Sequence, residues 1–220
     1  MINELIFFSH ISILFLSLLG ALRIGKEALI GLICVLVVLM NMFVLKQINL
    51  FGLSVTATDA FAVAVTLGLN MLQEYYGLKL TQKTIWISFY VSIVVLVLSK
   101  VHLLYIPSNF DTYQPHFVAI LTIMPRIVLA SLITYLIVMQ ADALLYNWFK
   151  QRMSDYVVLR NYISISISQF LDTILFSVLG LWGVVPSLTH IILFSYSIKV
   201  ITIICAGPTI ALAKRYIKAA

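Results

Sequence analysis

ALIGLICVLVVLMNMFVL, residues 28–45, carries no charge over its whole length and one strongly polar side chain, Asn41. A helix of about 20 apolar residues, rising about 1.5 Å at each, crosses the hydrocarbon of a bilayer. Six more apolar runs flank this one, at residues 5–22, 55–75, 85–104, 117–149, 161–185 and 188–213. With 62% hydrophobic residues, 10% charged residues and a mean hydropathy of +1.09, the chain is expected to be an all-α polytopic membrane protein with about seven transmembrane helices. A net charge of +6 and a pI near 9.3 would suggest nucleic acid in a soluble domain. Here the basic residues stand at the ends of apolar runs, so they read as topology signals and no nucleic-acid partner is expected.

Cytoplasmic loops collect Lys and Arg, and exported loops do not. Seven spans with the N-terminus outside and the C-terminus cytoplasmic place Arg23, Lys26, Lys79, Lys83, Lys150, Arg152, Arg160, Lys214, Arg215 and Lys218 on the inner side. Only Lys46 and Lys100 are then outside, while Arg126 and Lys199 fall within segments. Losing or adding a helix in the middle would invert the later loops and spoil this bias. The first run lacks the basic n-region and small-residue cleavage site of a signal peptide, so it is expected to remain as a permanent span. No soluble domain, low-complexity tract or long linker interrupts the chain, and residues 1–220 read as a single transmembrane domain. The longest polar connection, KVHLLYIPSNFDTYQPH at residues 100–116, reads as an outer loop from Pro107, Asn109 and Pro115. Cys34 and Cys205 lie in apolar runs and act as small hydrophobes, with no disulfide framework and no metal motif.

An ionisable group in the hydrocarbon costs about 2.5–3.5 kcal/mol on insertion scales, so each one retained there faces a partner or a wet cavity. Counting along the helices from the nearest loop puts Arg126, Asp172 and Lys199 near the midplane of three different spans, where they are expected to face a common interior. A buried salt bridge of Asp172 with Arg126 or Lys199, serving only helix packing, would leave one positive charge without an acid at that depth. A polar, water-accessible pocket is the more economical reading. At 100° per residue, Arg126, Ala130, Ile133, Ile137 and Gln140 share a face of the fifth segment, with Asp142 roughly opposite unless Pro125 bends the helix. Gln169 and Asp172 are neighbours on the sixth.

The stretch GLNMLQEYYGLK, residues 68–79, ends the third run with amides and an acid. Asn70 and Glu74 are four apart on one face with Gln73 beside them, and Gly77 with Lys79 marks the inner exit. A carboxylate this near the interface can snorkel to water, which suffices for Glu74. Asn70 is deeper, where an interhelical hydrogen bond of about 0.6 kcal/mol is the bland alternative. His10 is expected to be a packed histidine, and Asp59, with Thr56 and Thr58 nearby, an N-terminal cap of the third helix. Tyr105, Trp148 and Trp182 fit the interfacial aromatic belt.

No P-loop, H-E-x-x-H or G-x-S-x-G sequence is present, and Asp59, Glu74, Asp142 and Asp172 are scattered one per span or nearly so. Clustered acids for a metal are thus lacking, and neither cofactor nor catalysis has a positive signal. A mid-membrane pocket lined by Arg, Lys, Asp, Asn and Gln, with abundant Tyr and Phe, suits a small polar ring with both donors and acceptors. Without ATP-binding motifs such a chain is a facilitator, an ion-coupled carrier, or the substrate subunit of a larger machine.

Five blocks carry a resemblance: NMFVLKQINLFG (41–52), NMLQEYYGLKLTQK (70–83), MPRIVLASLITYLIVMQAD (124–142), LRNYISISISQFLDTILF (159–176) and YSIKVITIICAGP (196–208). In this order the chain, from about residue 32 to residue 215, resembles the bacterial queuosine precursor transporter family, also called the vitamin uptake transporter family. The resemblance implies a six-helix core preceded by an extra N-terminal helix, and kinship with the compact substrate-binding subunits of vitamin importers. It further implies an inner-membrane importer of 7-deazaguanines, namely 7-cyano-7-deazaguanine, 7-aminomethyl-7-deazaguanine or queuine, supplying the tRNA nucleoside queuosine. Carried over by motif, the family's polar positions fall on Asn41, Glu74, Arg126, Ser131, Gln140, Asp142, Gln169, Asp172 and Lys199. Asn70 is a departure, since the family usually has an Asp four residues before this Glu.

A deazaguanine offers a ring N–H and an amino group as donors and a carbonyl as acceptor. Asp172 or Glu74 is expected to take the donor edge, Arg126 or Lys199 the carbonyl, and Asn70, Gln140 and Gln169 to orient the ring between stacked aromatics. Asp142, a lone acid, could carry a proton. The runner-up is a membrane component that does not itself transport: a binding subunit needing a separate energising module, or a membrane enzyme. The expected partners are the small base and membrane lipids, with assembly into a homo-oligomer open.

Overall fold

The computed structural model describes residues 2–122, 125–183 and 187–217, without the side chains of residues 125 and 215–217. Lys218, Met124 and Val185 thus lie outside the described residues. The protein is an all-α polytopic membrane protein. Helices α1 (Ile2–Ile24), α2 (Lys26–Phe43), α4 (Leu78–His102), α6 (Pro125–Arg152), α7 (Val157–Phe176) and α8 (Leu188–Cys205) supply six stretches long and apolar enough to cross a bilayer. The sixth of these runs past a break at Ala206 into α9 (Gly207–Ile217), where Gly207 and Pro208 interrupt the apolar run. Large apolar side chains such as Ile13, Leu16, Val35, Trp86, Tyr90, Leu98 and Leu193 stand exposed on the outside of the bundle, as a lipid-facing surface requires.

Helix α3 (Asp59–Tyr76) is as long as α2 but less apolar, and it falls outside those six. It is also the most enclosed helix: every residue from Asp59 to Gln73 except Ala62 is buried, and α1, α2, α4, α6, α7 and α8 all pack on it. A helix shielded from lipid on all sides can carry Asp59, Asn70, Gln73 and Glu74 because its neighbours, not hydrocarbon, surround those side chains. At its far end Gly77, at φ 88°, reverses the chain straight into α4, a conformation that disfavours any side chain with a Cβ.

Two features depart from the sequence reading. The connection between α2 and α3 is a β-hairpin, with β1 (Gln47–Leu50) antiparallel to β2 (Leu53–Thr56) and Gln47 opposite Thr56. Its two-residue turn, Phe51 at φ 52° and Gly52 at φ 78°, lacks the Asn-Gly or Asp-Gly that would flag a hairpin in sequence. Leu50 and Val55 point into the core, Phe51 N donates to Glu4 Oε1 at 3.1 Å, and Asn3 Nδ2 donates to Asn49 O at 2.8 Å. The expected 117–149 segment is likewise divided. Exposed α5 (Gln114–Leu121) precedes a separate α6 whose first residue is Pro125, a position suited to a residue with no N–H to donate. Arg126 therefore sits in the first turn of α6 and not at the middle of a span.

Candidate functional site

The half of the bundle that carries the hairpin encloses a cavity of about 300 Å³. Its wall is made by the end of α2 (Met40, Asn41, Val44), the hairpin (Gln47, Ser54, Val55, Thr56), the start of α3 (Thr58, Asp59, Ala62), α6 (Ile127, Ser131, Thr134, Tyr135), α7 (Asp172, Thr173, Phe176) and α8 (Ile191, Ser195, Lys199). The volume falls at the lower end of the range for small-molecule sites, and the mixture of apolar wall and a few convergent polar groups is typical of them. A one-turn π-helix at Ser177–Leu181 continues α7 and contributes Ser177 and Leu181. Such wide turns are often placed at functional sites.

Lys199 and Asp172 meet on this wall. The Lys199 Nζ donates to Asp172 Oδ2 at 2.6 Å and to Thr173 Oγ1 at 3.1 Å. Lys199 is buried to 3% exposure, and the Asp172 side chain keeps 21%. The pair presents an acceptor and a donor side by side, the arrangement that recognises a ring carrying both. Also on the wall, Ser131 Oγ donates to Asn41 Oδ1 at 2.6 Å, and Asn41 Nδ2 donates to Val37 O at 3.0 Å. Asn41, Ser131, Asp172 and Lys199 are the sequence-derived site residues that line the cavity.

The others lie elsewhere. Arg126 is exposed, and its Nε donates to Leu179 O at 3.0 Å, so it ties α6 to the π-helical turn instead of joining Asp172 and Lys199. The face shared by Arg126, Ala130, Ile133, Ile137 and Gln140 is only partly turned inward: Ile133 and Ile137 are exposed, Gln140 is half-buried and Ala130 is buried, whereas Tyr135, Val138, Met139, Asp142 and Tyr146 on the other side are all buried. Lipid and core are both apolar, so an α6 wheel carries little information about which side is inside. Gln140 is half-buried, with its Nε2 enclosed and unpartnered among the described residues. Asp142 accepts from Ser164 Oγ at 2.7 Å and Ser168 Oγ at 2.6 Å, both on α7.

A seam of buried polar groups runs along α3 beyond Ala62, which lines the cavity. Gln169 Nε2 donates to Thr66 Oγ1 at 2.8 Å, one turn beyond Ala62. Asn70 is fully buried, with neither amide atom partnered among the described residues. Gln73 Nε2 donates to Ala143 O at 2.8 Å. The seam ends at Glu74, whose Oε2 accepts from Arg160 Nη2 and, at 3.0 Å, from the Tyr146 hydroxyl, with Lys150 Nζ 3.6 Å away. Glu74 thus does not snorkel to water.

Arg160, one of the inner-side cations of the sequence reading, is 1% exposed, and its Nη1 also donates to Met153 O at 3.0 Å and Ser154 O at 2.8 Å. Lys150 Nζ donates to Glu74 O at 2.7 Å, a cation at a helix C-terminus. No spacing in the sequence links Glu74 with Arg160, because they are 86 residues apart.

Asp59, expected to cap α3, makes no cap. It is the first helical residue, 4% exposed, and its Oδ1 accepts from Ser195 Oγ at 2.7 Å. The hairpin's Gln47, Ser54 and Thr56, with Thr134, Tyr135, Thr173 and Ser195, are among the other cavity residues that sequence reasoning missed. His10 packs against Phe61 with ring centroids 4.8 Å apart, as a core histidine does.

The family model described as "Putative vitamin uptake transporter" matches residues 56–213 of this chain. A protein of Bacillus subtilis (strain 168) named "Probable queuosine precursor transporter" is 28% identical over 197 residues, 88% of this chain and 86% of its own length. No solved structure matches.

Proposed function

The chain belongs to the vitamin uptake transporter family, and on that premise we propose that it imports queuosine precursors across the inner membrane of a bacterium. The substrates are 7-cyano-7-deazaguanine, 7-aminomethyl-7-deazaguanine and queuine, singly or together. The observation that carries this reading is the Lys199–Asp172 pair on the wall of the intramembrane cavity. Asp172 accepts from the donor edge of the base and Lys199 donates to its carbonyl, while Asn41 and Ser131 fix the ring from elsewhere on the wall. The name of the Bacillus subtilis relative supports the same substrate class.

The chain spans the membrane seven times, α3 included, with the N-terminus outside and the C-terminus cytoplasmic. The cavity then belongs to the outer half, and the Glu74, Arg160, Tyr146 and Lys150 network closes the inner half. Transport is facilitated diffusion by alternating access: the inner network parts as the hairpin end closes, and the base passes along Thr66, Gln169, Asn70 and Asp142. Net import follows because the precursor is trapped when it is built into tRNA.

Liposomes holding this chain alone test the proposal. Labelled precursor is expected to enter saturably, chemically unchanged, without ATP, and at the same rate after the proton gradient is dissipated. Uptake that needs another protein would make the chain a binding subunit. Altered product would make it an enzyme, and a collapse of uptake with the gradient would make it a proton-coupled carrier. Feeding each precursor to a bacterium lacking queuosine synthesis and uptake, complemented with this chain, ranks the three.

A further inference from the structure

Among the described residues three charged side chains line the cavity, Asp59, Asp172 and Lys199, and two of them are paired with each other. Lys199 is engaged by Asp172 and Thr173. Asp59 has no cation within ion-pair distance among the described residues; its Oδ1 takes one neutral hydrogen bond from Ser195, and its Oδ2 is buried with no partner. A second cavity borders Asp59 on its other side, where Lys46 and His10 also stand, and neither forms an ion pair with it. With all three groups ionised, the wall carries one negative charge in excess. A buried carboxylate left with an unused oxygen is costly, and a ligand that brings its own positive charge removes that cost.

We propose that Asp59 is a substrate-binding carboxylate that receives the cationic arm of the ligand, so that the site selects a deazapurine bearing a protonated amine over its neutral analogues. The inference rests on the transport reading above and assigns the substrate class of that same cavity. The Lys199–Asp172 pair addresses the ring, which amine-bearing and neutral bases share. Asp59, anchored from α8 by Ser195, addresses the substituent, which they do not. A primary alkylamine has a pKa near that of a lysine, about 10.4, and arrives protonated at neutral pH. A nitrile has no hydrogen to donate and cannot satisfy Oδ2. Charge-assisted hydrogen bonds are roughly twice as strong as neutral ones, which is the source of the selection.

The test uses the full chain in liposomes with labelled 7-aminomethyl-7-deazaguanine and 7-cyano-7-deazaguanine. Wild-type protein is expected to favour the aminomethyl base at least tenfold in uptake at low concentration. In Asp59→Asn that preference falls to within about twofold, because uptake of the aminomethyl base drops more than uptake of the cyano base. Equal uptake of both bases by the wild type overturns the inference and needs no variant. A variant that loses both bases in proportion, while eluting as the wild type does, also overturns it and makes Asp59 a structural residue. Uptake of neither base by the wild type is a different result, since it removes the transport reading itself.

Discussion

The Lys199 ammonium on α8 and the Asp172 carboxylate on α7 are held 2.6 Å apart on the cavity wall, in direct ion-pair contact. Removing one partner of such a buried pair strands the other, which costs about 3–5 kcal/mol, whereas removing both is far milder. Asp172→Asn and Lys199→Met are each expected to lower the melting temperature in detergent, and the double variant to recover most of the loss. Uptake stays abolished in the double variant, because the groups that read the base are gone. A double variant that regains uptake together with stability would reduce the pair to a packing device.

The Glu74 network is expected to behave differently. Arg160→Met leaves the Glu74 carboxylate with the Tyr146 hydroxyl and the half-exposed Lys150, so thermal stability falls by about 3–5 kcal/mol. Tyr146→Phe removes the hydroxyl that donates to Glu74 and accepts from Arg160 Nε and Asn161 Nδ2, and costs at least about 1.5–3 kcal/mol. Both loosen the end of the bundle at Gly77. A cysteine placed at Tyr75 should then be alkylated several times faster than in the wild-type background, and unchanged alkylation would show that the network does not hold this end closed.

Asn70 separates packing from transport. Neither of its amide atoms is partnered among the described residues, so Asn70→Leu removes none of the hydrogen bonds seen there and is expected to change stability by less than about 1 kcal/mol. If the base passes along the seam, uptake falls several-fold in this folded variant. Asn70→Asp, which restores the acid usual in the family, puts a charge at a fully buried position and is expected to shift the ratio of precursors taken up. Wild-type uptake by Asn70→Leu would take the seam off the route.

Topology is open to a direct measurement. With α3 counted as a span, Tyr113→Cys in the connection before α5 should react with an impermeant maleimide added to intact cells. Lys79→Cys, at the start of α4, should react only after permeabilisation. Buried Cys34 and half-buried Cys205 are expected to react slowly. The reverse pattern would invert the bundle and turn the cavity toward the cytoplasm.

The hairpin turn tests whether strain outside the cavity reaches the strand residues that line it, Gln47, Ser54, Val55 and Thr56. Gly52→Val forces a β-branched residue to φ 78°, at a cost of about 1–3 kcal/mol, and should lower the apparent affinity for the base more than the melting temperature. An affinity unchanged in the folded variant would detach the hairpin from the site.

Apolar runs alone determined that the chain crosses a membrane and which residues are anomalous there, because an ionisable side chain in hydrocarbon must have a reason that a reader can look for. Asp172 and Lys199 were legible in this way. Asn41 and Ser131 came instead from the family resemblance, and the structure brings all four to one cavity. The orientation of α6 was not legible. In water the polar side of a helix faces out, but in a bilayer both sides are apolar, so Arg126 and Asp142 exchanged places.

Only the tertiary structure decided which charges are compensated. Asp59 resembles a helix cap from its neighbours in sequence, and Arg160 an inner-side cation from its position. Their partners, Ser195 and Glu74, are 136 and 86 residues away and are chosen by how α3, α7 and α8 pack. Burial and pairing are properties of that packing. They set which carboxylate is spent on the fold, as Glu74 is, and which, as at Asp59, is left with a buried oxygen that has no partner among the described residues.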